Sequence, residues 1–398
     1  MKIKVVHVIT RMILGGAQEN TLLTCRGLHE NPDYDVTLVT GPALGPEGEL
    51  LSEAERLGLR VVVVPEMRRA IHPWRDCVSV RKLRRILRDI RPQVVHTHSS
   101  KAGILGRYAA HAERVPVVVH TIHGLPFHPY EKGWRNKLYV WLERRAAKWS
   151  HRIVCVADAM ADQAVAAGVA DRSKFVTIYS GMEAEAFLDC EWQRRAMRHR
   201  LGIRDDEFVV GKIARLFELK GYEYVIEAAK RIRDAHPNVR FLFVGDGILR
   251  GTLEAQARKL GVRDWIIFAG LVPASQVPAY VSAMDALVHA SLREGLARVL
   301  PQALLAGKPV VSFDVDGARE VVVHGETGYL VPPKSVEGLV VSLCEIIEDP
   351  ERAAAMGAEG RALCRERFRW QTMVAELDAL YRELLSDQRQ PAGPDASA

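Results

Sequence analysis

The stretch SLREGLARVLPQALLAGKPVV, residues 291–311, contains side chains that can bind a phosphate-bearing ligand. Its pattern predicts a loop, then a helix from about Leu296 to Ala306, then a strand. We expect the helix to start at the carboxyl end of a strand, where free N–H groups and the helix dipole favour anions, and Gly295 to let a ligand approach the backbone. Glu294 and Gln302 would then lie two helical turns apart and project toward one ligand. The alternative is an ordinary crossover helix with a solvated Glu294.

Two cations follow the first strand predicted in the second half of the chain. Arg215 and Lys220 flank a loop in the segment KIARLFELKG, residues 212–221. Two fixed cations stabilise the negative charge that develops on a diphosphate leaving group, and they do so without a metal ion. The alternative is a pair of solvated loop cations.

A glycine loop joins the first predicted strand to the first predicted helix. Gly15 and Gly16 stand at this junction, where a glycine loop brings backbone N–H groups close to a ligand. The GxGxxG spacing is incomplete, so a dinucleotide site is a poor fit. The alternative is a tight turn between strand and helix.

Several histidines lie close together in the first half of the sequence: His96, His98, His120, His123 and His128. The His-x-His pair suggests zinc. However, no cysteine or carboxylate completes a ligand set, and we therefore expect no metal here. His123 follows a predicted strand and precedes a glycine, a position that favours exposure at the edge of a ligand site.

Together these features resemble the family 4 glycosyltransferases, which have two Rossmann-like domains facing a central cleft in the arrangement called GT-B. Glu294 and Gln302 match the family's two glutamates separated by seven residues, but the second position is glutamine in this sequence. Residues 212–221 are similar to the family motif GRL-x-x-x-KG, with Ala214 in place of the usual glycine. The resemblance extends over residues 1–385.

The resemblance implies roles for the matching residues. Arg215 and Lys220 are expected to bind the diphosphate, and Glu294 and His123 to orient the donor sugar. Gln302 is expected to reach the nucleotide ribose with altered affinity, because an amide lacks the charge of a carboxylate. The two glycines would approach the diphosphate, and the loop after a later strand would contact the base. The residues expected to contact the donor are Gly15, Gly16, Arg215, Lys220, Leu271, Val272, Glu294, Gly295, Leu296 and Gln302, and those expected to act in catalysis are His123, Glu294, Lys220 and Arg215.

Asp314 and Asp316 mimic the DxD metal motif of the other glycosyltransferase architecture, GT-A. They follow a strand late in the second Rossmann-like half of the chain, after the Glu294 segment. In this position the match is best explained as coincidence. We therefore expect no metal.

The expected function is that of a retaining, metal-independent glycosyltransferase. It would move a hexose-type sugar from a UDP- or GDP-sugar, which is a co-substrate and not a cofactor, to a glycan or lipid-linked acceptor. Synthesis of cell-surface polysaccharide or glycolipid is the expected setting. Two alternatives remain open: a nucleotide-sugar epimerase of the same fold, and a non-catalytic sugar-nucleotide sensor, for which Gln302 is the best argument.

The length of 398 residues exceeds what one core usually supports, and strands alternate with helices along the chain. The sequence thus predicts two doubly wound parallel sheets. We place the domain boundary at residues 180–181, and the resemblance implies an acceptor-binding domain at residues 1–180 and a nucleotide-sugar-binding domain at residues 181–369. The resemblance implies a helix at 370–388 that returns to the first domain, and the polar tail 389–398 is expected to be disordered. Residues 97–107, THSSKAGILGR, are similar to the family's acceptor domain.

The basic residues are unevenly distributed. Residues 1–190 contain 27 Lys and Arg against 20 Asp and Glu, whereas the remainder is close to neutral. This excess predicts an anionic partner, and no nucleic-acid-binding pattern accompanies it. Basic clusters at residues 81–91 and 132–148, the second interleaved with aromatics, favour an anionic membrane surface. The alternative is two amphipathic helices with core aromatics and solvated cations.

The cysteines indicate the compartment. Six of them are scattered without a CxxC pair, which is typical of reduced thiols. The first segment, MKIKVVHVIT, is too short in apolar residues for a signal peptide and is predicted to be a buried strand. We expect a cytoplasmic protein, peripheral on the inner face of the cell membrane.

Overall fold

The computed structural model describes residues 2–44 and 48–388, which form two compact α/β units. The first unit contains the chain up to Met182 together with the C-terminal helix (Trp370–Asp387), and the second unit is Glu183–Arg369. The tail predicted to be disordered lies outside the described residues.

Parallel strands and covering helices alternate in the first unit. Its strands are β1 (Ile3–Ile9), β2 (Tyr34–Thr40), β3 (Arg60–Val63), β4 (Val94–His98), β5 (Val117–Ile122), β6 (Arg152–Cys155) and β7 (Phe175–Thr177). Its helices, besides the C-terminal one, are α1 (Gly16–Glu30), α2 (Leu51–Arg56), α3 (Pro73–Ile90), α4 (Ser100–Ala112), α5 (Gly133–Ala147) and α6 (Asp158–Ala166). The described strands form one seven-stranded sheet in the order β3-β2-β1-β4-β5-β6-β7. The prediction missed β7, which has only three residues.

The second unit repeats the same architecture. Its strands are β8 (Phe208–Ile213), β9 (Val239–Val244), β10 (Ile266–Gly270), β11 (Ala286–His289), β12 (Val310–Phe313) and β13 (Gly328–Val331). Its helices are α7 (Glu185–Leu188), α8 (Arg194–Arg200), α9 (Tyr222–Ala235), α10 (Arg250–Lys259), α11 (Val277–Ser282), α12 (Val299–Leu305), α13 (Val336–Glu348) and α14 (Pro350–Arg365). The described strands form one six-stranded parallel sheet in the order β10-β9-β8-β11-β12-β13. Two doubly wound sheets were predicted, and both are present.

The strand order reverses once in each sheet, between β1 and β4 and between β8 and β11. In doubly wound folds, ligands bind beyond the carboxyl ends of the strands at such a reversal. The loops after β1 and β4 in the first unit, and after β8 and β11 in the second, therefore mark where each unit would hold a ligand.

The C-terminal helix packs on α1 and on the sheet of the first unit. Its buried residues Trp370, Met373, Leu377 and Leu380 recur every three or four positions, as expected for one apolar face. A Cβ atom at Gly27 of α1 would lie 2.8 Å from the Trp370 ring, so glycine permits this close approach.

No helix in the described part of the chain is both long enough and apolar enough to cross a membrane.

Candidate active site

The loop after β8 holds the two predicted phosphate ligands. Arg215 is exposed and forms no ion pair with a described residue, whereas Nζ of Lys220 lies 2.5 Å from Oε1 of Glu294. Gly221 ends the loop in the left-handed conformation, with φ of 65°, and a Cβ there would lie 1.8 Å from the carbonyl oxygen of Ala290. Only glycine can occupy this position. The loop therefore packs against the end of the β11 segment and brings Lys220 beside Glu294.

Helix α12 begins at Val299, so the prediction of a helix from about Leu296 is wrong. The carbonyl oxygen of Gly295 accepts a hydrogen bond from the N–H of Gly317 (3.0 Å). Residues 291–298 form a loop, and the first helical residue is Val299. The expected helix N-terminus at Gly295 does not exist. Gly295 and Leu296 are both buried in this loop.

Glu294 projects from the loop and not from α12. Its backbone N–H donates a hydrogen bond to Oδ2 of Asp316 (2.6 Å), whose φ of 48° is uncommon for a residue other than glycine. Gln302 lies within α12 and Glu294 in the loop before it, so the two residues are not two turns apart on one helix, and their projection toward one ligand stays a prediction. The Gln302 side chain is partly exposed and makes no hydrogen bond with the described residues.

The carboxylate of Glu294 lies between Lys220 and His289. Burial, the largest single effect, opposes its ionisation, but the Lys220 ammonium and the other neighbouring groups together outweigh it and lower the pKa of Glu294. Nε2 of His289 lies 3.6 Å from Oε1 of Glu294, and neither ring nitrogen has a hydrogen-bond partner among the described residues. Burial lowers the pKa of His289 to about 3, so its ring is neutral near pH 7. Glu294 therefore remains ionised, and its carboxylate can pair with Lys220 or accept hydrogen bonds from a ligand.

Lys212 is a second buried group that sequence patterns did not assign to the site. It is 0% exposed, its Nζ lies 4.8 Å from the centroid of the Tyr222 ring, and no described residue is its hydrogen-bond partner. Burial lowers the pKa of Lys212 to about 7, and Lys220 acts in the same direction. A basic residue inside an apolar strand was the signal that could have identified both Lys212 and His289.

The two predicted base-contact residues follow β10 at the edge of the second sheet. Leu271 is 61% exposed and Val272 is partly buried. Strand β9 separates β10 from β8, which puts the two loops about 10 Å apart at the ordinary strand spacing. These residues share the carboxyl edge of the sheet with Arg215 and Lys220.

In the first unit, Gly15 is the N-cap residue of α1 and directly precedes Gly16. Its φ of 166° is extended backbone that any residue adopts, and a Cβ there would meet only the flexible Gln18 side chain, at 2.8 Å. The packing of the protein thus gives no reason for glycine at Gly15, whereas a ligand close to the backbone would.

Three histidine rings form a hydrogen-bonded string across neighbouring strands. Nδ1 of His7, on β1, lies 3.0 Å from Nε2 of His98, at the end of β4. Nδ1 of His98 lies 3.1 Å from Nε2 of His123, which follows β5. His7 and His98 are fully buried, while His123 is partly exposed. The ring of His123, the candidate active-site histidine, is therefore hydrogen-bonded to His98, which is in turn hydrogen-bonded to His7.

His7 also adds a third imidazole beside the His-x-His pair, His96 and His98, from a strand far away in the sequence. Ligand nitrogens of His7, His96 and His98 lie within 4.8 Å of one another. The rings of His96 and His98 are stacked, with centroids 4.3 Å apart, so their in-plane lone pairs do not converge on one point. Both nitrogens of His96 already pair with the hydroxyls of Tyr381 and Thr121. The arrangement does not fit a metal ion.

The other two histidines of the predicted group lie outside the string. His120 donates a hydrogen bond from Nδ1 to the carbonyl oxygen of Thr97 (3.0 Å). The ring of His128 lies beside Tyr130, with centroids 6.4 Å apart.

Two family models match the chain. The Glycosyl transferase 4-like domain matches residues 15–181, and Glycosyl transferases group 1 matches residues 193–363. HepE of Anabaena, solved in complex with UDP-glucose, has a similar fold with a TM-score of 0.80, covering 97% of this chain and 100% of that chain at 23% identity.

Two relatives cover different shares of the sequence. The UDP-Gal:alpha-D-GlcNAc-diphosphoundecaprenol alpha-1,3-galactosyltransferase of Escherichia coli is 29% identical over 87% of this chain and 89% of its own length. The GDP-mannose-dependent alpha-(1-6)-phosphatidylinositol monomannoside mannosyltransferase of Mycolicibacterium smegmatis is 33% identical over 53% of this chain and 56% of its own length. The chain is therefore a glycosyltransferase of the GT-B fold and belongs to the group 1 glycosyl transferases, a member of family 4.

Proposed function

We propose that the protein is a retaining, metal-independent glycosyltransferase that moves a hexose-type sugar from a UDP- or GDP-sugar to a lipid-linked or glycan acceptor. The observation that carries this proposal is the polar group at the carboxyl ends of β8 and β11. There Arg215 has no ion-pair partner among the described residues, and Lys220 pairs with Glu294. A sugar diphosphate needs both elements, cations for its phosphates and a carboxylate for its hydroxyls.

The proposed reaction proceeds on one face of the sugar. The acceptor hydroxyl oxygen bonds to the anomeric carbon as the bond from that carbon to the diphosphate oxygen breaks, and the hydroxyl proton passes to the departing oxygen. Arg215 and Lys220 stabilise the charge that develops on the diphosphate. Glu294 orients the sugar through its hydroxyls and does not attack it.

The chemistry of the two relatives supports a lipid-linked acceptor. The names of these enzymes specify a diphosphoundecaprenol-linked sugar for one and phosphatidylinositol monomannoside for the other. Both are sugars on an anionic lipid. We therefore place the protein in cell-surface polysaccharide or glycolipid synthesis, at the cytoplasmic face of the cell membrane.

A donor screen followed by a transfer assay tests this function. Thermal shifts with UDP-, GDP- and ADP-sugars identify the donor, because a ligand that binds the folded state raises its stability with the logarithm of saturation. Labelled donor is then incubated with and without a lipid acceptor extract. Transfer that requires the extract supports the proposal, whereas conversion of most of the sugar without acceptor would indicate an epimerase. Tight donor binding with no turnover on any extract would indicate a sensor.

We expect EDTA to leave the transferase activity unchanged. Asp314 forms a two-pronged ion pair with Arg319, and Asp316 accepts the N–H of Glu294, so both carboxylates of the DxD pair already serve the fold. Activity is measured after chelation and again after adding manganese. Loss in EDTA and recovery with manganese would contradict metal independence and return Asp314 and Asp316 to the site.

We expect Gln302→Glu to change donor affinity more than turnover. A carboxylate accepts hydrogen bonds from ribose hydroxyls, and charge-assisted bonds contribute roughly 1.5 to 3 kcal/mol against about 1 kcal/mol for neutral ones. The expected change is a lower donor Kd at similar kcat, measured by calorimetry and steady-state kinetics. If Kd and kcat both equal those of the wild type, Gln302 does not contact the ribose.

The surface of α5 supports membrane docking. Trp134, Leu138 and Trp141 are 63%, 41% and 57% exposed and are spaced along one face of the helix. Lys137 and Arg145 extend this face, and neither forms an ion pair with a described residue. The alternative of aromatics in the core is wrong for these two tryptophans. An exposed apolar stripe flanked by free cations suits an anionic lipid surface.

The α3 cluster is less suited to this role. Arg84 and Arg88 pair with Glu113, and Lys82 pairs with Glu66, at 2.6 to 2.8 Å. These three cations share two carboxylates, so most of their charge is already balanced within the protein.

We therefore expect the protein to sediment with vesicles that contain phosphatidylglycerol, and this binding to weaken at high salt. Each basic residue near such a surface contributes on the order of 1 kcal/mol. The double variant Trp134→Ser/Trp141→Ser should bind at least tenfold more weakly. Trp192→Ser is the matched control, because Trp192 is 81% exposed in the second unit. Equal partition to neutral and anionic vesicles would contradict docking by charge.

A further inference from the structure

The histidine string has one end inside the protein and one end at the edge of the first sheet. The inner end is Nε2 of His7, which is buried and has no hydrogen-bond partner among the described residues. The outer end is His123, whose Nε2 faces Nδ1 of His98. Only two ring-to-ring bonds connect these ends.

The inner rings are neutral near pH 7. Burial lowers the pKa of His7 to about 3 and holds the pKa of His98 well below its usual range. A neutral imidazole has one N–H and one lone pair. Because His98 bonds through both nitrogens, it must donate to one neighbour and accept from the other. The proton positions on all three rings are therefore coupled, and only two arrangements satisfy both hydrogen bonds.

The two arrangements differ at the buried end of the string. In one, Nε2 of His7 carries a hydrogen that meets no acceptor; in the other, it carries a lone pair. A buried N–H without an acceptor is rarer and more costly than an unpaired acceptor. The second arrangement is favoured, so Nδ1–H of His7 donates to Nε2 of His98, and Nδ1–H of His98 donates to Nε2 of His123.

We propose that His7 and His98 are positioning residues that hold His123 in one tautomer, with its proton on Nδ1. His123 then accepts at Nε2 from the protein and carries its N–H at Nδ1. In the proposed function this N–H would donate to a sugar hydroxyl oxygen, and this last step alone rests on that function. The preceding steps follow from the string itself.

His96 does not change this arrangement of protons, although its ring stacks on the ring of His98. Its two nitrogens bond to the hydroxyl groups of Tyr381 and Thr121. A hydroxyl can donate or accept, so these partners impose no proton position on the string. His96 therefore provides a matched control: a buried histidine of the same cluster that lies outside the string.

Long-range ¹H–¹⁵N correlation spectra of the full-length protein, labelled with ¹⁵N-histidine, measure the tautomer directly. Signals are assigned with single histidine variants. We expect His123 to show a protonated nitrogen at Nδ1 and an unprotonated one at Nε2 at neutral pH. A proton on Nε2 of His123 in the wild-type protein would overturn the proposal.

Variants at His7 test whether its proton position determines the tautomer of His123 through His98. His7→Met replaces the donor to His98 with a thioether, which can only accept, so His98 should donate from Nε2 and His123 should shift toward the Nε2–H form. His7→Gln keeps an amide N–H donor and should retain the Nδ1–H form, as should the control His96→Gln. Melting temperatures confirm that each variant is folded. If folded His7→Met leaves the His123 tautomer unchanged, His7 does not position it.

Elemental analysis and kinetics complete the experiment. Stoichiometric metal in the purified protein, with ring shifts of His7 and His98 that change on chelation, would replace the proposal with a metal site. With a known donor, His7→Met should lower kcat/KM about tenfold, and His7→Gln should keep most of the wild-type value. If no donor supports turnover, the proposed function fails, but the tautomer measurement still decides the role of the string.

Discussion

Replacing Lys220 with alanine is expected to lower kcat/KM for transfer by roughly 30- to 1,000-fold, which corresponds to about 2 to 4 kcal/mol of transition-state stabilisation. Two effects add in this variant. The diphosphate loses a fixed cation as its charge develops, and Glu294 loses the ion pair that holds its carboxylate in place. Steady-state kinetics with saturating acceptor would separate the effect on kcat from the effect on donor KM.

Lys230→Ala is the matched control for this prediction. Lys230 also pairs with a carboxylate at 2.7 Å in the same unit, but it lies on the surface of α9 with its partner Asp234. Its loss should change kcat/KM less than about twofold, because exposed pairs contribute little. Near-normal turnover of the Lys220 variant would remove Lys220 from the proposed site.

The two sheets could be predicted because their central strands are buried on both faces. Strands such as β1 and β9 are nearly continuous apolar runs, and such runs are typical of parallel sheets covered by helices. Short edge strands carry less of this signal. The prediction missed β7 and β13, which have three and four residues.

The sequence predicted candidate residues of the site, but not which of them contact one another. Local helix signals placed the start of α12 too early. The loop before it is hydrogen-bonded to a distant part of the sequence, because the N–H of Gly317 donates to the carbonyl oxygen of Gly295. The ion pair of Lys220 with Glu294 joins two loops in the same way. Contacts across strands are set by the sheet order, which sequence periodicity does not specify.

The histidines illustrate the same limit. His96 and His98 drew attention through their spacing, but His7 lies on β1, far away in the sequence. Only the pairing of β1 with β4, which puts His7 opposite His96, brings it into the string.

Replacing Arg107 with alanine is expected to lower the free energy of unfolding by about 3 to 5 kcal/mol, the usual effect of leaving one partner of a buried ion pair alone. Arg107 belongs to the segment that resembles the family's acceptor domain, yet its role in the structure is internal. Its side chain is 0% exposed, Nη2 lies 2.7 Å from Oε2 of Glu143, and Nε donates to the carbonyl oxygen of Gly103. The pair joins α4 to α5, and its removal leaves the Glu143 carboxylate buried without its cation.

Urea unfolding followed by circular dichroism measures this effect, with two further variants for comparison. Arg85→Ala removes a cation from an exposed pair on α3, 84% exposed at the arginine, and should cost less than about 1 kcal/mol. Arg107→Met/Glu143→Leu replaces both buried charges with apolar groups and should recover most of the loss, because no uncompensated charge remains. An Arg107→Ala variant as stable as Arg85→Ala would contradict this account. It would mean that water or a shift of α5 solvates Glu143, so that the ion pair does not hold the two helices together.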